Sequence, residues 1–279
     1  MKPAPFDYVR ADSLDEALEA LASAGGDARV LAGGQSLVPM LNMRLARPAV
    51  LVDIMRIGGL RRIEEKAGEI VIGAGVRQAE LESWPELGNK LPLVAAMLPV
   101  LGHLQTRSRG TVCGSIAHAD PSAELPLALA ALGGTVHLRS RKSKRSVPAS
   151  DFFLGMMATD LADDEMVEAV AFPAAKPGTG HAFREVARRH GDFAIVACAA
   201  VVDKTSARLA VGGVADTPTV RAMPMQGGNL DDAGLDDALN DFAWALEARD
   251  DIHATARYRR DLVRTIGRQV LKEAARCRA

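Results

Sequence analysis

A short apolar run, residues 28–32 (ARVLA), stops at two consecutive glycines, Gly33 and Gly34, and this junction restricts the fold more than any other feature of the chain. A strand that ends in Gly-Gly turns sharply, and such a turn points free backbone N–H groups outward. The residues before it complete the unit. In residues 13–24 (SLDEALEALASA), Ser13 is placed to cap, Glu16 follows three positions later, and Leu14, Ala17, Leu18 and Leu21 share one face. That is an amphipathic helix closed by Gly25 and Gly26. Helix, strand and glycine loop in this order predict a small α/β unit.

The alternation continues. Residues 50–54 and 69–72 predict strands, the second running into Gly73 and Gly75, and a helix is expected to start over 78–83. A mostly apolar helix with Pro99 inside it is expected over 93–104, followed by a loop rich in Gly, Ser and Pro through residue 126. Residues 125–132 predict an apolar helix, and 135–139 with 145–148 a hairpin across the basic turn SRKSK. After a strand at 166–172, the stretch AFPAAKPGTG reads as a linker and places a domain boundary near residue 175. Beyond it, β-like runs at 193–202 and 207–214 precede helices at 230–248 and 258–276, an α+β arrangement. In the last helix Leu262, Ile266, Val270 and Ala274 form an apolar stripe, while Arg264, Arg268, Lys272 and Arg276 repeat at the same spacing. A solvated face is the simplest account of those cations.

Charge and cysteine usage remove several function classes. With 34 Lys plus Arg against 35 Asp plus Glu the net charge is −1, so no global field draws the chain to nucleic acid. Cys113, Cys198 and Cys277 form no C-x-x-C pair, which argues against zinc ribbons and a local iron-sulfur signature and favours a reducing, cytoplasmic setting. The first residues lack the apolar core of a signal peptide, and no run reaches the length of a membrane span.

Two segments carry chemistry. In residues 31–45 (LAGGQSLVPMLNMRL), N–H donors of the glycine turn and the start of a helix near Ser36 suit a pyrophosphate, although a tight turn alone is the commoner fate of Gly-Gly. The loop lacks the Lys and Ser/Thr of a P-loop, and in VIGAGVRQAEL (71–81) Gln78 stands where a dinucleotide fingerprint needs its third glycine, so a plain strand-to-helix turn is expected there. In residues 111–126 (TVCGSIAHADPSAELP), Gly114 and Ser115 supply donors, and Glu124 can accept from ribityl or ribose hydroxyls or sit in a first helical turn. His118 and Asp120 have no third metal ligand at a recognisable spacing, and neither Ser36 nor Ser115 sits in a G-x-S-x-G elbow.

Taken together, AGGQSLVPMLNMRLARP (32–48) and RGTVCGSIAHADPSAELP (109–126) resemble the two FAD-binding motifs of the molybdenum hydroxylase family, in particular its carbon monoxide dehydrogenase-type medium chains and, more distantly, the flavin domain of xanthine dehydrogenases. The likeness extends through residues 151–173, 183–200 and 258–263. It implies an FAD domain over 1–175 built from two α/β subdomains, about 1–56 and 57–175, similar to vanillyl-alcohol oxidase-type flavoproteins, and a C-terminal α+β domain over 176–279 with an antiparallel sheet and helices. It further implies that Leu31, Ala32, Gly33, Gly34, Gln35, Ser36 and Leu37 hold the pyrophosphate, and that Thr111, Gly114, Ser115 and His118 line the second loop. Glu124 takes the family's acidic position, Val167 an apolar flavin-contact position and Arg184 a cofactor-binding place often basic in relatives, and Phe193 is expected to approach the isoalloxazine. Relatives carry T-x-G-G where Cys113 replaces the first glycine of the pair, and a tolerated small side chain is the expected reason.

By the same resemblance the chain is an electron-transfer subunit that is inert on substrate alone. Its partners would be a molybdopterin-binding large subunit, a small subunit with two 2Fe-2S clusters, and an acceptor such as NAD, a quinone or oxygen. A self-contained FAD oxidase or reductase of the same fold is the alternative.

Overall fold

The computed structural model describes residues 2–278. β1 (Asp7–Arg10), α1 (Leu14–Ala24), β2 (Ala28–Leu31), α2 (Leu37–Asn42) and β3 (Val50–Asp53) come first, with the strands ordered β1-β3-β2 and all parallel. Ser13 caps α1 by accepting from the Glu16 N–H, and the Glu16 carboxylate accepts from the Asp12 N–H at 2.8 Å. Ala17, Leu18 and Leu21 are buried on its inner face. The glycine turn after β2 therefore leaves the carboxyl end of a parallel sheet, the edge at which α/β sheets bind ligands.

A second layer follows: β4 (Ile63–Lys66), β5 (Glu69–Gly73), α3 (Gln78–Glu82), α4 (Leu87–Lys90), α5 (Pro92–Met97), α6 (Leu104–Arg107), α7 (Val112–His118), α8 (Glu124–Leu132), β6 (Thr135–Arg139), β7 (Lys144–Pro148), α9 (Ala149–Phe152), β8 (Phe153–Gly155), β9 (Ala158–Thr159) and β10 (Met166–Pro173). Its antiparallel sheet is ordered β4-β5-β10-β6-β7. Two expectations are corrected here. The single helix expected over 93–104 stops at Met97 as α5, ahead of Pro99, which has no N–H to continue the ladder, and α6 starts only at Leu104. The expected loop through residue 126 contains α7, since the Thr111 side chain accepts from the Gly114 N–H at 3.0 Å and starts a helix whose Val112, Cys113 and Ile116 are buried.

The last part comprises β11 (Gly180–Ala187), β12 (Ala194–Val202), β13 (Ala207–Gly212), β14 (Thr219–Ala222), the small hairpin β15 (Met225–Gln226) and β16 (Asn229–Leu230), then α10 (Asp232–Ala245) and α11 (Ala256–Arg276). The sheet β11-β12-β13-β14 is antiparallel, and its strand β12 is buried on both faces. Along β12, Ala197, Ala199 and Val201 join the core of the first two layers, while Val196, Cys198, Ala200 and Val202 join the core under α10 and α11. Period-two alternation explains this split. The cations of α11 do not form a merely solvated face. Arg264 donates to Asn240 at 2.8 Å, Lys272 lies 3.1 Å from Asp232, and Arg268 pairs with Asp236, tying α11 to α10. Among the described residues no helix is long and apolar enough to cross a membrane.

Candidate functional site

A cleft of about 730 Å³ is lined by β2 and the turn after it, by α7, by the start of β10 and by the loop before β12. Its first wall is the turn after β2. Gly34 adopts φ +71°, a conformation that favours glycine, and a Cβ there would also press on Val38 at 3.1 Å. None of the N–H groups of Gly33, Gly34, Gln35 and Ser36 finds an acceptor among the described residues. Four successive unpartnered amides beside a cleft are donors available to an anion.

The facing wall begins where the segment 109–111 presses against this turn. A Cβ on Gly33 would lie 2.1 Å from the Arg109 carbonyl oxygen and 2.6 Å from the Gly110 Cα, so the two backbones touch with no room for a side chain. Residues 76–78 pair with 110–112 behind that contact: Val112 N–H donates to Val76 O at 3.1 Å and Gln78 N–H to Gly110 O at 2.8 Å. The Thr111 hydroxyl is occupied as an acceptor by the cap of α7, which leaves its own proton free to donate. Gly114, Ser115 and His118 follow along α7 and line the cleft.

Further along this wall stands Glu124, which is 7% exposed. Burial pushes its carboxyl up to about 8, opposed by its own backbone N–H and reinforced by Glu185 and Asp120. It is therefore mostly protonated at neutral pH and can donate as well as accept. That differs from the charged carboxylate a first helical turn would favour. Burial also raises Glu185 to about 7, and its Oε2 is sealed from solvent without a partner.

Of the residues singled out in the sequence, Ala32, Gly33, Gly34, Gln35, Ser36 and Leu37 line the cleft, as do Thr111, Gly114, Ser115, His118, Glu124, Val167 and Phe193. Val167 is buried on β10 beside a register shift, and Phe193, 73% exposed, stands on the loop before β12. Leu31 and Arg184 do not line the cleft. The Leu31 side chain packs close to Gly34. Arg184 lies on the α11 side of β11, where its guanidinium meets the Glu273 carboxylate at 2.9 Å, while its neighbour Glu185 faces the other way. A one-residue step along a strand changes the face, which is why position alone misplaced it.

Cys113 is buried, donates to the Ile72 carbonyl oxygen at 3.4 Å, and has its thiol pushed up to about 12 by burial. A thiol so hard to ionise is a poor nucleophile. Gln78 and Glu185 also line or flank the site without a signal in the sequence: Gln78 sits in an ordinary strand-to-helix turn, and Glu185 lies on β11, whose alternation is mixed.

The donor set fits a dinucleotide with a diphosphate: unpartnered amides on one wall, hydroxyl and carboxyl groups on the other, and apolar surface at Val167 and Phe193 for a flat ring. Residues 4–175 match the family described as FAD binding domain in molybdopterin dehydrogenase, and residues 181–274 match the CO dehydrogenase flavoprotein C-terminal domain. The chain is 37% identical over 284 residues to the 6-hydroxypseudooxynicotine dehydrogenase complex subunit alpha of Paenarthrobacter nicotinovorans, covering 98% of this chain and 96% of the relative. It is 36% identical over 290 residues to the carbon monoxide dehydrogenase medium chain of Hydrogenophaga pseudoflava, covering 99% and 100%. The solved structure of quinoline 2-oxidoreductase from Pseudomonas putida 86 superposes with a TM-score of 0.91 at 35% identity, covering 100% of this chain and 99% of that one.

Proposed function

The chain belongs to the family of FAD-binding, CO dehydrogenase-type flavoprotein subunits of molybdopterin dehydrogenases, and from that membership we infer that it relays electrons from the 2Fe-2S clusters of a small partner subunit to an external acceptor. A molybdopterin-binding large subunit completes the complex in this reading, and the acceptor is NAD, a quinone or oxygen. FAD supplies the redox chemistry, and the chain supplies binding, orientation and electrostatics.

The four unpartnered amides of residues 33–36 carry the reading, because they mark where a diphosphate would be held by backbone alone. Ala32 and Leu37 flank them. Thr111, Gly114, Ser115 and His118 hold the sugar chain from the second wall, and Glu124 bonds its hydroxyls with a carboxyl that can both donate and accept. Val167 and Phe193 offer apolar surface to the ring. The chain divides accordingly into an FAD domain over 1–175, with subdomains of about 1–56 and 57–175, and a C-terminal domain over 176–279, whose strand β12 contributes to both cores. The ungrouped, free cysteines are in keeping with a cytoplasmic setting.

The purified, FAD-loaded chain, assayed alone with its metal content measured, should show no turnover of aldehydes, purines, other N-heterocycles or carbon monoxide, while a dye reoxidises it after dithionite reduction. Turnover of any of these by metal-free protein would establish the self-contained oxidase or reductase instead.

A further inference from the structure

Gln78 is the third residue of a buried stack, after Gly33 and Gly110, at the seam between the two walls. Gly33 lies against Gly110, and on the other side of Gly110 lies the Gln78 carboxamide: a Cβ on Gly110 would be 2.9 Å from Gln78 Oε1 and 3.2 Å from its Cδ. The backbone fixes it there, through Gln78 N–H to Gly110 O and the pairing of Arg77 with Thr111. The side chain is 5% exposed, lines the cleft, and leaves Oε1 sealed in the wall without a donor.

A buried amide with an unsatisfied end is destabilising, so an apolar side chain of the same size would suit the empty protein better. With Oε1 turned into the wall, the end left to the cleft is Nε2, a donor placed where a dinucleotide passes from the amides of residues 33–36 to the second wall. We propose that Gln78 is a cofactor-binding residue, its Nε2 donating to an oxygen of the sugar-diphosphate stretch of FAD. The assignment rests on the FAD reading of the cleft and adds a contact on its floor. It also accounts for a glutamine at a position that a dinucleotide fingerprint would give to glycine.

The test is Gln78→Leu in the full-length chain, with FAD affinity read by flavin fluorescence and the melting temperature of the apoprotein read separately. FAD should bind about tenfold more weakly, while the apoprotein melts at the same or a higher temperature. These opposite signs separate a ligand contact from a packing role. Competition by ADP locates the oxygen: a matching tenfold loss assigns the diphosphate, and unchanged competition assigns the ribityl hydroxyls. An FAD affinity within twofold of wild type, or an apoprotein melting temperature that falls together with affinity, would overturn the proposal. Should the leucine variant not fold, Gln78→Glu keeps the shape and replaces the donor by an acceptor; wild-type FAD affinity in that variant would overturn it equally. Failure of the wild-type chain to bind FAD is a different outcome, because it removes the reading on which the contact depends.

Discussion

Residues 33–36 leave four successive amides without an acceptor, whereas three of the five amides of residues 111–115 have one inside the protein: Val112 N–H donates to Val76 O at 3.1 Å, Gly114 N–H to Thr111 Oγ1 at 3.0 Å and Ser115 N–H to Thr111 O at 3.2 Å. Both segments are rich in small residues and both face the same cleft. The first presents backbone, and the second presents side chains held on a rigid helix. A glycine in the first is there for its conformation or for close approach, while in the second Gly114 leaves space for the capping hydroxyl, which a Cβ would approach to 2.6 Å. Similar composition thus hides opposite physical roles, and substitutions should separate them.

The largest effect is expected at the contact between the walls. Gly33→Ala puts a methyl 2.1 Å from a backbone oxygen that cannot rotate away, so the walls must part. Flavin absorbance should be absent from the purified variant, and thermal unfolding should show a loss of about 3 kcal/mol. Next is Gly34→Val, where the constraint is φ +71° and not the opposite wall. Strain of about 2 kcal/mol and a displaced set of amides should lower FAD affinity by about a hundredfold in a protein that still folds. Unchanged affinity in a folded variant would place the diphosphate elsewhere.

On the second wall the expected signature is a pH dependence. The Glu124 carboxyl titrates near 8 in the folded chain, above its ordinary value of 4.5, because it is buried with Glu185 and Asp120 nearby. Between those pH values the folded state binds more protons than the unfolded one, so stability of the apoprotein is highest below about pH 4.5 as far as this group is concerned and declines as pH rises through 8. The decline should be on the order of 2 kcal/mol, shared with Glu185. Glu124→Gln should flatten it, and an equally steep profile in that variant would remove Glu124 as its source. Smallest of all is Cys113→Ala. The thiol points into the core, so stability should fall by about 1 kcal/mol while FAD affinity stays within twofold and acid precipitation releases the colour from wild type and variant alike.

Much of this arrangement was legible before the structure. The cap at Ser13, the periodicity of α1 and the apolar run of β2 end at a glycine turn whose donors point outward, and each is a local signal. Local signals failed where contacts distant in sequence decide. Gly114 and Ser115 are poor helix formers and give α7 the composition of a loop, yet the Thr111 cap and the burial of Val112, Cys113 and Ile116 override propensity. Strand β11 alternates between two different cores, so its pattern lacks the clean apolar and polar faces of a half-exposed strand, and the face of Arg184 was lost with it. The Gln78 stack depends on Gly33, Gly110 and residue 78 converging, which no window of sequence contains.

The contrast between the walls is tested most directly by hydrogen–deuterium exchange of the apoprotein and the FAD-loaded chain. Amides 33–36 have no acceptor in the protein and should exchange quickly when FAD is absent, then become protected when it binds. The helix begun by Thr111 should be protected in both states and change little. Protection appearing over residues 33–36 on FAD addition is the predicted result. Continued fast exchange there in a chain that demonstrably retains FAD would contradict the account, because the diphosphate would then be held by something other than these four amides.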